Sequence, residues 1–234
     1  MRFYELLGEL RVQLGGDRQL HDCDGGMAWP KRGVYFFFEE GEPRTESGTG
    51  PRVVRVGTHA LTATSKTRLW DRLKQHKGTR AGVGDHRGSI FRLLIGQALL
   101  TRDDGHCPTW GVGNTRGDAA RKKHITPARV QEAEAPTEQA VSAHIGHMPF
   151  LWLPIEDAPG PDSQRGIIER NAVALLGNHV HGALDPASPM WLGRHSDRRK
   201  VRASGLWNQN HVDESYDPAF LDLIAERVRN LARN

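Results

Sequence analysis

The chain has 234 residues, 37% of them hydrophobic, which is enough for one sizeable core with extensions. Formal net charge is only +4, but it is unevenly placed: eight Lys or Arg face two Asp between Ser65 and Arg92, while acids gather at 39–46 and 132–138. Two cysteines argue against a disulfide framework, the longest apolar runs are too short to cross a bilayer, and the N-terminus lacks the apolar block of a signal peptide, so the expectation is a cytoplasmic protein with no membrane partner.

Phe3, Leu6, Leu7, Leu10 and Leu14 recur at helical spacing and predict an opening helix, which "GGDRQLHDCDGG" breaks. Residues 33–38 and 52–57, rich in Val, Phe and Tyr, read as strands paired across the loop at 39–51. Alternation places Tyr35 beside Phe37 on one face and Arg55 on the face opposite Val54 and Val56. "SKTRLWDRLKQHKG" predicts a helix capped by Ser65 or Thr67 and stopped by Gly78; Leu69 and Leu73 form its apolar side, with Arg72 and His76 along one edge.

"SIFRLLIGQALL" at 89–100 is a second helix, and 101–135, with its Gly, Pro and scattered charge, reads as an insertion or long loop. "PTEQAVSAHIG" predicts a helix, "MPFLWLPI" a third strand and "EDAPGPDS" a turn. In the helix "QRGIIERNAVALLGN", Glu169 falls between Val173 and Leu176 inside the apolar arc, where a carboxylate needs a partner or a metal, and Asn178 lies just past the end. Asp217 and Pro218 start a final amphipathic helix.

The charge asymmetry suits a phosphate-rich partner, because neutralised phosphates release counterions; a solvated basic face fits it equally. Candidate contacts are Arg68, Lys74 and Lys77 on the basic helix, His86 and Arg87 in "DHRGS", and Arg198 and Arg199 in "GRHSDRRKVR". "GLWNQNHV" at 205–212 reads either as a polar surface turn or as a base-contacting segment. The histidine pairs at 144–147 and 179–181 lack the matching cysteines of a zinc site.

In chain order, "GVY" at 33–35, "RVG" at 55–57, "RLKQH" at 72–76 and "IIERNAVALLGN" at 167–178 together resemble the GIY-YIG nuclease family, with Arg55 where the second tyrosine stands. The resemblance implies an α+β domain: a small, mainly antiparallel three-stranded sheet flanked by helices, over 31–182 with the insertion near 101–135. A helical extension at 1–30 precedes it, and another at 183–234 packs on the same domain. It further implies an endonuclease that hydrolyses DNA with one Mg²⁺ or Mn²⁺, in restriction or phage defence. Glu169 would hold the cation, Arg72 the scissile phosphate, and Tyr35 the attacking water, with His76 an auxiliary proton-transfer group and Asn178 orienting the Glu or a turn. Arg55 cannot serve as a base but can bind phosphate, and His59 just beyond reads either as a replacement for the missing hydroxyl or as an incidental loop histidine. A catalytically degenerate nucleic-acid-binding module and an RNA-cleaving enzyme remain as alternatives.

Overall fold

A four-stranded antiparallel sheet carries the molecule in this computed structural model, which describes residues 2–79, 81–177 and 182–232. The strands are β1 (Arg18–Gln19), β2 (Gly33–Pro43), β3 (Pro51–Gly57) and β4 (Pro149–Pro154), in the order β1-β4-β2-β3. The expectation of three strands is thus exceeded by β1, a two-residue edge too short to leave an alternating pattern. β2, buried along seven consecutive positions, is hydrogen-bonded on both sides: Tyr35 lies opposite Gly57 of β3 and Trp152 of β4.

The helices around it are α1 (Arg2–Gln13), α2 (Leu69–Lys77), α3 (Ile90–Arg102), α4 (Arg116–Lys123), α5 (Pro127–His147), α6 (Gln164–Gly177), α7 (Arg199–Ser204) and α8 (Phe220–Leu231). Alternation sorts the sheet's side chains into two cores. Val34, Phe36, Phe38, Leu151 and Leu153 pack under α1, α6 and α8. Tyr35, Phe37 and Phe150 pack under α2, α3 and α5.

One register shift corrects the reading of β3. Phe37 faces Arg55 but Phe38 faces Val53, so Val54 is an extra residue on β3 and joins the core of Tyr35 and Phe37. Val56 lies on the opposite face from Arg55 as alternation requires; Val54 does not.

The loop expected over 101–135 is also corrected, because α4 and most of α5's first half occupy it. Thr115 and Thr126 cap these helices through their side chains, and Pro127 occupies the first turn, where a missing N–H costs nothing. Pro136 lies inside α5 and is not a helix start. In α2 the cap is Arg68, whose backbone N–H donates to Asp71, in place of Ser65 or Thr67; Gly78 ends the helix at φ 79° as expected.

After α7 the chain returns along β3. The Trp207 N–H donates to the Val54 carbonyl at 2.7 Å, and the Asn208 side chain brackets both backbone groups of Val56. This seals the sheet's outer edge and brings residues 208–211 to the strand's C-terminal end.

Candidate active site

That end of β3 opens into a cavity of about 460 Å³. Arg55 and Thr58 of β3 and its continuation, Arg72 and Gln75 of α2, Glu169 of α6, and Asn208 to His211 line it, with His59, Leu61 and Ile90 completing the wall. Arg55 is aimed there because it shares a sheet face with Tyr35, the sheet pairing placing both on the side covered by α2 and α3. Its guanidinium lies over the Phe91 ring, 5.5 Å from the centroid, and Nη1 donates to the Trp207 carbonyl. Nε is buried with no hydrogen-bond partner, and no carboxylate among the described residues lies within ion-pair distance of this 6% exposed arginine.

Arg72 is half-buried, with Nη1 on the Gln75 side chain at 2.9 Å and the Gly88 carbonyl at 3.1 Å. Glu169 is half-buried on the wall and likewise has no ion-pair partner among the described residues. Burial pushes its carboxyl above the usual range, against the opposing pull of Arg55, His211, the Thr58 backbone and Arg72. Arg55, Arg72 and Glu169 are therefore brought together.

Tyr35 and His76 are not on that wall. Both are fully buried beneath it, where the tyrosine hydroxyl lies 2.8 Å from His76 Nε2 and His76 Nδ1 lies 2.8 Å from the Ser89 hydroxyl. Burial first, then Arg72, Arg55 and Arg92, drive the His76 imidazole well below its ordinary pKa, so it is neutral. The Tyr35 ring also explains the glycine of "RVG": a Cβ on Gly57 would sit 2.3 Å from its hydroxyl oxygen. Tyr35 thus lies behind the cavity, with its hydroxyl against His76. Asn178 lies outside the described residues, as does the histidine pair at 179–181.

Three of the expected phosphate contacts are committed internally. Lys77 Nζ donates to the His21 and Cys23 carbonyls. Arg87 forms a two-point pair with Glu134 at 2.7 and 2.8 Å. His86 is buried, donates from Nδ1 to Glu138 at 2.9 Å and accepts at Nε2 from the Gly111 N–H at 3.0 Å. Asp85, His86 and Glu138 have metal-site spacing, but both Glu138 oxygens are occupied, one by His86 and one by Arg92, so the cluster holds itself together. Arg68 and Lys74 are exposed on α2, and Arg198 and Arg199 are exposed at α7, Arg198 beside Asp197 at 3.4 Å.

One structural residue escaped the sequence. Arg165, fully buried at the start of α6, pairs with Asp157 and donates to the His59 and Ala60 carbonyls, more than a hundred positions away in the chain. No local pattern marks such a contact.

No helix of the described residues is long and apolar enough to cross a membrane. No curated protein and no solved structure matches the chain. The family model of the GIY-YIG domain matches residues 1–234. With that match over its whole length, and with the family's strand pair, helical arginine and inward glutamate converging on one cavity, the chain belongs to the GIY-YIG domain family, a family of nucleases.

Proposed function

We propose that the protein is a divalent-metal-dependent endonuclease that hydrolyses DNA phosphodiester bonds at the cavity between β3, α2 and α6. The observation that supports this most is the presence, on one wall, of a buried arginine and a glutamate that have no ion-pair partner among the described residues. Arg55 and Glu169 attract one another across the wall without closing an ion pair, and a phosphodiester with its cation would engage both.

The donor set fits a hard cation. Glu169 offers carboxylate oxygens on a cavity with room for water, and no soft ligand faces it, so Mg²⁺ or Mn²⁺ held by Glu169 and waters is the assignment. When bound, the cation supplies Lewis-acid polarisation and neutralises charge on the phosphate. Arg72 grips a non-bridging oxygen from α2, and Arg55, replacing tyrosine, presents its unpartnered Nε–H from the sheet. Tyr35 and His76 support this wall from below and fix the packing of α2 on β2. Arg68 and Lys74 on the exposed side of α2 steer the polyanion.

A nucleic-acid-binding module without hydrolysis is the second reading, favoured by the sealed Tyr35 hydroxyl. One assay separates the two: purified protein with plasmid, single-stranded DNA and RNA, in Mg²⁺ or in chelator. Metal-dependent nicking supports the nuclease; salt-sensitive binding without any cleavage supports the module. Cleavage confined to RNA would replace DNA as the substrate.

A further inference from the structure

Resting on the hydrolytic reading above, we infer that His59 is the proton acceptor for the attacking water, occupying the role that the missing tyrosine leaves vacant. Arg55 has no lone pair to offer, the Tyr35 hydroxyl is taken up by His76, and His211, which also lines the cavity, holds its Nδ1 against the Glu214 carboxylate at 2.8 Å. His59 lies two residues beyond Gly57, lines the cavity, and is only 6% exposed. Its Nδ1 lies 2.9 Å from the Thr67 carbonyl, and a carbonyl only accepts, so Nδ1 carries the proton and Nε2 of the neutral ring is the bare acceptor. That Nε2 is buried and has no partner. Nε2 is closed to solvent in this conformation, so a water reaches it only as substrate binding shifts the cavity wall, the tightening expected of catalytic contacts when substrate is bound.

The ring is also held more firmly than a loop histidine needs to be. Ala60 adopts φ 56°, a left-handed conformation rare for a residue with a side chain, and it persists because surrounding bonds fix it. Arg165 donates to the carbonyls of both His59 and Ala60, and the Gly160 N–H donates to Ala60 at 3.3 Å. Arg165 is thus a positioning residue for the turn that carries His59.

Charge keeps the ring in its accepting form while lowering its basicity. Burial, aided by Arg165, Arg32 and Arg72 and opposed by the Thr67 carbonyl, holds the imidazole pKa down at about 4, so the ring is neutral and able to accept. A phosphodiester gripped by Arg72 cancels part of that positive field, which makes the ring a stronger base when substrate is bound. In the step itself, the water oxygen bonds to phosphorus as one water proton passes to Nε2. The bond from phosphorus to the leaving sugar oxygen breaks, that oxygen keeps the electron pair and takes a proton from solvent, and Nε2 returns its proton to solvent afterwards.

His59→Asn tests this, because an Asn amide can still donate to the Thr67 carbonyl while lacking the Nε2 acceptor. Single-turnover plasmid cleavage with Mg²⁺ should fall by about 10²–10⁴-fold, while affinity for the same DNA in Ca²⁺ and the melting temperature stay at wild-type values. Added imidazole should restore part of the rate in His59→Gly. Wild-type cleavage by a folded His59→Asn protein, or a rate loss matched by an equal loss of affinity, would overturn the inference. A second readout needs no turnover: ¹⁵N NMR of the wild-type ring should show the Nδ1–H tautomer, with Nε2 shifting when a phosphorothioate dinucleotide is added. An Nε2 resonance that does not move overturns the assignment even in a protein that cleaves, whereas a moving Nε2 in a protein that cleaves nothing breaks the endonuclease reading and leaves His59 as the acceptor for a water held at the bound phosphodiester.

Discussion

Two charged clusters flank the helix pair α2 and α3, and they are finished in opposite ways. Around α5, Glu138 accepts from His86 and Arg92, and Arg87 is matched to Glu134, so every charge has a partner inside the protein. Around β3, Arg55 Nε and His59 Nε2 have none, and the Glu169 carboxyl is raised by burial instead of lowered by a salt bridge. Arg55 and His59, each 6% exposed, are nearly as buried as Glu138, whereas Arg72 and Glu169 are half-buried. The two clusters differ in whether the fold has already satisfied their charges, and that difference is the ground for proposing the second as the active site.

The largest effect that sharpens this contrast belongs to the satisfied cluster. Glu138→Gln removes the anion from a site holding Arg92 and His86, and breaking such a buried pair should cost about 3–5 kcal/mol of stability. Denaturant unfolding measures the loss, and cleavage should decline only as far as folded protein does. A Glu138→Gln protein of full stability that fails to cleave would erase the distinction.

Arg55→Lys keeps the charge but not the planar donor fork. Cleavage should drop about 10²-fold with little change in melting temperature, since the native guanidinium has no ion pair to lose. Activity fully retained by the lysine would mean that Arg55 supplies charge alone.

Acid stability is the third test. His59 and His76 both have folded pKa values below that of a free imidazole, so the unfolded chain takes up protons first as pH falls. The stability their neutral forms contribute is complete above pH of about 6.5 and is lost progressively below it, down towards pH 4 for His59. Equilibrium unfolding against pH should therefore steepen below about 6.5, and His59→Asn should remove one proton from that slope. A flat profile in the wild type would contradict the buried neutral pair.

The smallest effect concerns the outer face of α2. Lys74→Ala should reduce the slope of log affinity against log salt by about 1 while leaving the cleavage step unchanged. Lys77→Ala, by contrast, should leave the salt slope unchanged, because its ammonium is spent on two carbonyls.

Much of this was legible in the sequence, for reasons that are local. The alternation of β2, the helical spacing in α1, α2 and α6, and the apolar arc that makes Glu169 conspicuous are all short-range patterns, and they carried Arg55, Arg72 and Glu169 to one cavity. Long-range partners were not legible. His86 and Arg87 looked like phosphate contacts because Glu138 and Glu134, which accept their hydrogen bonds, lie 52 and 47 positions away. Val54 changed face because a bulge shifts the period by one, and α4 and the first half of α5 were hidden because Gly, Pro and charge mask caps that only the Thr115 and Thr126 side chains reveal. The segment at 207–211, readable as a surface turn, became part of the cavity wall through backbone bonds to β3 that no pattern in either segment announces.

The most direct test of the contrast is Glu169→Gln, measured for melting temperature in chelator beside single-turnover cleavage in Mg²⁺. A carboxyl whose folded pKa lies above its unfolded value destabilises the fold once pH exceeds both, so at neutral pH the neutral amide should melt higher than wild type. Cleavage should fall by orders of magnitude at the same time, with affinity for DNA unchanged or increased. A Glu169→Gln protein that melts lower than wild type and loses cleavage only in proportion would show Glu169 to be one more internally satisfied charge, and would contradict the assignment of this cavity as the active site.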